Sequence, residues 1–155
     1  MRIDDRFAEL YRTEFDAVYR AVFVMCGDAP VAEEATQEAF ARALERWHRL
    51  ADRPWVAGWV TTTAMNVARR TLRRRRPELP GRAETSDVDA ADLDLWRGVR
   101  SLPRRQQEAV VLHHVLDLPV SDVARLLGCS EGAVKVHLSR GRASLRERLQ
   151  EVPDE

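Results

Sequence analysis

Lysine is nearly missing from this 155-residue chain: Lys135 stands alone beside 24 arginines. That bias suggests GC-rich coding sequence and leaves the fold open. Cysteine is scarce too. Cys26 and Cys129 lie far apart, with no CxxC pair and no Cys/His ligand spacing, which argues against a zinc site and a disulfide framework and for a reduced compartment. In the turn around Gly128, Cys129 reads as a small filler rather than a redox switch. No apolar run reaches membrane-spanning length, and MRIDDRFAEL lacks a signal-peptide core. The expectation is a cytoplasmic protein with no membrane insertion, and with no long C-terminal extension to carry a fused regulatory domain. There is no glycine-rich phosphate loop and no Ser/His/Asp or Cys/His arrangement. His113 and His114 sit side by side without a second ligand pair, so they read as surface or core histidines. We therefore expect no enzyme, no metal and no cofactor. No internal repeat is visible.

Net charge is absent as well, at a formal value of zero, but the charges are segregated. Residues 1–45 hold ten acids and five bases, residues 46–76 hold nine arginines and only Asp52, and residues 83–94 hold five acids and no base. A chain so balanced should bind DNA weakly alone, because non-specific affinity comes from neutralised phosphates, and a partner would supply the rest.

What is present is helical periodicity. Phe7, Leu10, Tyr11, Phe15, Val18, Tyr19, Val22 and Phe23 recur at helical spacing, so Phe7–Phe23 is predicted to be a helix with its aromatics in the core. Residues 27–30, GDAP, break it. Val31–Trp47 reads as a second helix, burying Ala32, Ala35, Ala39, Phe40, Ala43 and Trp47 and leaving Glu33, Glu34, Gln37, Glu38 and Arg42 for solvent or a partner. His48–Pro54 reads as a loop. Trp55–Arg75 reads as a third helix, with Trp59, Val60, Thr63, Val67 and Leu72 inward, despite the poor helix formers Thr61, Thr62 and Thr63. Six of the eight residues from Arg69 to Arg76 are arginine. Cations suit a helix C-terminus, yet six exceed that role, which favours contact with nucleic acid. Pro77–Asp94 reads as a polar, acidic linker. A short helix over Leu93–Leu102 and another over Arg104–Leu116, with Pro103 at its start, precede the stretch with the sharpest meaning.

That stretch is Leu118–Leu149. Val120–Leu127 is a short helix with Val123, Ala124 and Leu127 on one face, Gly128 is a left-handed stop, and Ser130 is an N-cap. The following helix carries Val134, Leu138 and Leu145 in one stripe, with Lys135, His137, Ser139, Arg140 and Arg142 off it. Many helix–glycine–helix hairpins only pack a core. Here the small residues Ala124, Gly132 and Ala133, beside a basic face, favour a helix-turn-helix whose second helix enters the major groove.

Several ordered motifs carry a family resemblance from about Phe7 to Leu149. Residues 33–40, EEATQEAF, resemble the acidic E-D-x-x-Q-E-x-F signature of bacterial RNA polymerase sigma factors of the extracytoplasmic function (ECF) type. Trp59, Asn66 and the arginine run resemble that family's W-L-x-x-I-A-x-N segment, with Thr63 where isoleucine is usual and Arg70 where aspartate is usual. Leu102–Leu112 resembles the L-P-x-x-x-R-x-V-x-x-L helix, with Gln107 replacing arginine, and Val123–Lys135 resembles E-I-A-x-x-L-G-x-S-x-G-T-V-K, with Ala133 replacing threonine.

The resemblance implies an all-α fold of two small helical domains, a sigma-2 bundle over 1–76 and a sigma-4 helix-turn-helix over 93–150, joined by an acidic flexible linker over 77–92. It implies docking on core RNA polymerase, through the β′ clamp helices and the β flap, with Glu34, Gln37, Glu38 and Arg42 on the polymerase side. It implies a −10 element held by Trp55, Asn66, Arg69, Arg70, Arg73 and Arg74, with Trp59 in the core. It implies a −35 element read by Lys135, Val136, Ser139 and Arg140, with His137 and Arg142 toward the DNA backbone. Ala133 lacks the hydroxyl of one family phosphate contact. Promoter DNA, core polymerase and an anti-sigma factor are the expected partners, in the nucleoid, and promoter melting is the expected task. Two other readings stand beside it: a conventional helix-turn-helix regulator, and a sigma homologue that acts only by protein interaction.

Overall fold

A computed structural model describes residues 2–75 and 90–150, apart from the side chains of 90–93. Most of the acidic linker expected over 77–92, together with Arg76 and the frayed tail expected at Pro153–Glu155, lies outside the described residues, while residues 90–92 of that linker are helical. The described residues fall into two compact units, one on each side of the 76–89 segment, and each has its own core. Among them every regular element is helical.

In the first unit, α1 spans Asp5–Cys26, α2 spans Ala29–Glu45, α3 is a single turn over Trp47–Leu50, and α4 spans Val56–Arg74. The Asp4 carboxylate caps α1 by accepting the Arg6 backbone N–H at 2.8 Å. Gly27, at φ 69°, ends that helix in the left-handed conformation that glycine alone adopts without a Cβ penalty. Asp28 then caps α2 through the Val31 N–H at 3.0 Å. The break expected over residues 27–30 is thus two residues long, because Pro30 fits the first helical turn, where no N–H is needed. Likewise the stretch expected to be a loop from His48 opens with the α3 turn, which buries Trp47 and Leu50.

The helices α1, α2 and α4 pack together on Val18, Val22, Val31, Phe40, Val60 and Met65, with Ala32, Ala35, Ala39, Ala64 and Ala68 letting the backbones close in. Phe7 meets Phe40 and Trp47 edge-on, at centroid distances of 6.4 and 5.3 Å. Not all the aromatics are core: Tyr11 is 40% exposed, and Phe15, Tyr19 and Phe23, each four residues further on, are half-buried. A four-residue step advances 40° around a helix, so this row drifts out of the core face. The threonine run is accommodated because each hydroxyl donates to the carbonyl four residues back, Thr61 to Ala57, Thr62 to Gly58 and Thr63 to Trp59, at 2.8–2.9 Å.

In the second unit, α5 spans Ala90–Ser101, starting three residues before the expected helix, and α6 spans Arg104–Val110. The chain then widens into a π-helical turn over Val111–Val115, where a single α-helix was expected to run to Leu116. Leu116 N–H reaches back five residues to the Val111 carbonyl, and Leu118 N–H reaches back six to Leu112. Asp117, at φ 54°, reverses the chain into α7, Val120–Leu127. The last helix, α8, spans Glu131–Gln150. Leu102, Val110, Leu112, Val123, Leu127, Val134 and Leu138 form the core. Gln107, standing where the family favours arginine, is buried and donates to the Val99 carbonyl at 3.2 Å, tying α6 to α5.

Candidate nucleic-acid interface

The α7–α8 corner follows from three local choices. Gly128 sits at φ 65° and its N–H caps α7 at the Ala124 carbonyl. Cys129 N–H bonds the same carbonyl at 3.1 Å. Ser130 Oγ accepts the Ala133 N–H at 3.1 Å, starting α8. Along α8, Val134, Leu138 and Gly141 are buried. Lys135, Val136, Ser139, Arg140 and Arg142 are exposed and His137 is half-buried. Val136 is 45% exposed, a large apolar side chain left on a basic face. The helix therefore presents three cations, Lys135, Arg140 and Arg142, with the aliphatic Val136 and the hydroxyl of Ser139 among them, a set able to meet guanine acceptors, a thymine methyl and phosphates. The His114 imidazole, exposed on the π turn, is held below the ordinary histidine range by partial burial, then by His113 and by Arg142 of α8, with Asp117 opposing.

In the first unit, Arg70, Arg73 and Arg74 are exposed along α4, Arg69 is half-buried with its guanidinium 3.4 Å from Asn66 Oδ1, and Trp55 is half-buried at the foot of the helix. Trp59, expected in the core, is half-buried instead, and with Thr63 it faces a cleft rather than the helix interface. The buried positions of α4 are Gly58, Val60, Thr61, Ala64, Met65, Val67 and Ala68, so Trp59 and Thr63 fall beside that stripe. The cleft encloses about 360 Å³ between α2 and α4 and is lined by Arg42, Glu45, Arg46, Trp59, Thr63, Asn66 and Arg70. The Arg46 guanidinium lies 6.0 Å from the Trp59 ring centroid.

On α2, Glu34, Gln37 and Glu38 are exposed and Arg42 is half-buried. Arg42 donates to Glu38, and Arg75 reaches Glu34 at 3.9 Å. The structure thus divides the residues expected to face polymerase. Glu34, Gln37 and Glu38 lie on the open side of α2, whereas Arg42 also lines the cleft beside Asn66 and Arg70. Sequence reasoning missed Glu45 and Arg46 as cleft residues. The signal lay in their spacing, since Glu45, in the last turn of α2, and Arg46, the residue that ends it, follow Arg42 by three and four positions.

Comparison with known proteins supplies the family. Residues 10–78 match the family described as Sigma-70 region 2, and residues 92–145 match Sigma-70, region 4. The RNA polymerase sigma-E factor of Streptomyces antibioticus is 32% identical over 152 residues, covering 93% of this chain and 84% of that one. This chain is an ECF sigma factor of the sigma-70 family. The ECF sigma factor SigW of Bacillus subtilis is 22% identical over 96% of this chain and 91% of its own. Among solved structures, the sigma factor RpoE of Bartonella quintana, crystallised with the anti-sigma factor NepR, superposes with a TM-score of 0.76 at 20% identity, covering 97% of this chain and 100% of that one. In this sigma factor the region 2 match runs from within α1 to beyond α4, and the region 4 match holds the complete α7–α8 corner. No helix among the described residues is long and apolar enough to cross a membrane.

Proposed function

We propose that this sigma factor docks on core RNA polymerase through α2, selects promoters through both units and promotes opening of the duplex at the −10 element. Glu34, Gln37 and Glu38, with Arg42 behind them, form the polymerase face toward the β′ clamp helices, and the second unit meets the β flap. Trp55, Asn66, Arg69, Arg70, Arg73 and Arg74 line the −10 track. Lys135, Val136, Ser139 and Arg140 read the −35 element, with His137 and Arg142 toward phosphate. The observation that carries this reading is the split of α8 into a buried Val134–Leu138–Gly141 seam and an exposed, cationic opposite side. A recognition helix needs that division. An anti-sigma factor is the regulatory partner we propose, by analogy with the NepR-bound relative. The domain limits 1–76 and 93–150 and a cytoplasmic, nucleoid-associated location belong to the same proposal.

The test is run-off transcription with purified core polymerase and a pool of genomic promoter fragments, with and without the protein. New transcripts with shared upstream elements are the expected result. Binding to core without transcripts would favour an interaction-only homologue, and a DNA footprint without polymerase would favour a conventional regulator.

A further inference from the structure

The contact between α5 and the end of α8 holds more positive charge than a neutral hydroxyl uses. Gly98 is buried under α8: a β-carbon there would stand 2.8 Å from Leu145 Cδ2 and 3.3 Å from Arg148 Cδ. Because that β-carbon is missing, the Arg148 stem lies across α5, and its guanidinium ends on the Ser101 hydroxyl, donating from Nη1 at 2.9 Å. The hydroxyl donates its own proton to the Gly98 carbonyl at 2.7 Å. Ser101 is exposed, on the last turn of α5. Around it, residues 97–105, RGVRSLPRR, hold four arginines and no acid. Arg97 is exposed one turn back on the same side of α5, with Asp94 3.8 Å away. One cation suits the C-terminus of α5, where the carbonyl ends of the peptide dipoles collect. A neutral hydroxyl accepts at most two bonds, whereas a single guanidinium carries five donors in a fixed fork.

We propose that Ser101 is a phosphorylation site, and that phosphoserine there fastens α5 to the end of α8 through Arg148 and Arg97. The group transferred is the γ-phosphoryl of a nucleoside triphosphate, delivered by a serine kinase whose substrate groove is acidic, as the arginines on both sides of Ser101 require. The bond from Ser101 Oγ to phosphorus forms, the bond from that phosphorus to the nucleoside diphosphate breaks, and the hydroxyl proton goes to the base of the kinase. The hydrogen bond to Gly98 is given up, and the phosphoryl oxygens take donors from the arginines instead. Ser101 ends α5 and Pro103 stands at the N-cap of α6, so opening one helical turn exposes the segment to a kinase. An anion at a helix C-terminus is repelled by the dipole, so without the arginines the same modification would loosen α5. Lys135 to Arg140 lie about eight residues or more before Arg148, which is about 12 Å along α8 and beyond a Debye length of about 8 Å at physiological salt. The phosphate therefore acts on the hold between α5 and α8. The inference goes beyond promoter reading and does not depend on it.

The experiment uses the full-length chain with phosphoserine encoded at position 101, beside the unmodified chain with and without inorganic phosphate. The phosphorylated chain should melt about 5 °C higher in its second unit, and its α5 amides should exchange roughly ten-fold more slowly, as one charge-assisted hydrogen bond produces. Arg148→Gln should reverse the sign, so that the phosphorylated variant melts below its unmodified counterpart. Phosphorus NMR should place the second ionisation of the phosphate below its usual value of about 6. In a separate arm, an arginine-directed serine kinase with Mg-ATP should label Ser101, read by mass spectrometry, and Ser101→Ala should lose that label. A lower melting point for the phosphorylated chain, a gain that survives Arg148→Gln, or an unshifted phosphate ionisation overturns the proposal. So does kinase labelling that misses Ser101, whether absent or confined to Ser144, which stands among arginines on α8. Equal stabilisation of the unmodified chain by inorganic phosphate would make the place a general anion site and also overturns the modification. Should Arg148→Gln fail to fold by circular dichroism, the phosphate ionisation and the exchange rates of the otherwise unaltered chain decide.

Discussion

Gly141 of α8 lies so close to Val110 of α6 that a β-carbon at position 141 would stand 3.0 Å from Val110 Cγ2, with Gln106 and Leu102 also within van der Waals reach. The helix α8 is pressed onto α6 at the one point in its buried seam that has no side chain. Because Val110 is β-branched and buried, it has little room to give. Gly141→Val should therefore destabilise the second unit by about 2–3 kcal/mol through overpacking, well beyond what glycine loses by its poor helix propensity. Thermal unfolding by circular dichroism checks this, and a midpoint at or above that of the parent would contradict the packing account.

The exposed side of α8 should respond differently from the exposed side of α2. Lys135→Ala or Arg140→Ala is expected to weaken binding to −35 DNA by about 1–3 kcal/mol per lost base contact while affinity for core polymerase stays unchanged. Glu38→Arg is expected to do the reverse. Mobility shifts with holoenzyme, paired with a pull-down of core polymerase, separate the two. Loss of core binding in an α8 variant would reverse the assignment of the faces.

Asp4 gives a pH signature. Its carboxyl is held below the ordinary value by the Arg6 backbone N–H, then by the Arg6 side chain. A depressed carboxylate stabilises the fold above its unfolded pKa of about 4 and loses that contribution as pH falls through the lower folded value. The melting midpoint of the first unit should thus drop as pH falls below about 4 in the parent. Asp4→Ala should be less stable at neutral pH and show a shallower drop. Equal slopes for the two proteins would remove the cap from the account.

His114 acts with the opposite sign. Its folded pKa lies below the ordinary histidine value because of burial and the neighbouring His113 and Arg142. The unfolded chain therefore binds a proton first, and the second unit should lose stability as pH falls below about 6.5. His114→Gln should flatten that part of the stability profile, which hydrogen exchange of α6 and α8 amides between pH 5 and pH 7 would follow.

Asp117 is the one described non-glycine residue at positive φ. Asp117→Gly should raise the stability of the second unit by up to about 1 kcal/mol by relieving left-handed strain, offset in part by the greater entropy of glycine in the unfolded chain. A denaturation midpoint lower than the parent's would mean that the Asp117 side chain contributes more than its backbone loses.

The helices were legible because their buried faces repeat at helical spacing, as Val18–Val22 and Val134–Leu138 do. The helix-turn-helix was legible because Gly128 stops one helix and Ser130, two residues on, caps the next. Trp59 was misplaced because a large aromatic between apolar residues satisfies the same periodicity whether it ends inside the interface or 100° away on the rim of a cleft. The two-residue break at Gly27–Asp28 was overestimated since Pro30 terminates one helix as readily as it opens another. The π turn after Val110 leaves no periodic trace, because one extra residue in a short helix shifts the apolar pattern by less than the pattern's own tolerance. The residues of the cleft come from two helices remote in sequence, and only packing could bring Arg46 to Trp59.

The seam under α8 has a consequence for how this protein could change its addressees. Its anchors, Val134, Leu138 and Gly141, alternate with Lys135, Val136, Ser139 and Arg140, whose side chains are exposed. Rewriting those four positions should leave the folding of the unit nearly untouched, so a new side-chain set can be installed there, by drift or by hand, without a matching repair elsewhere in the chain.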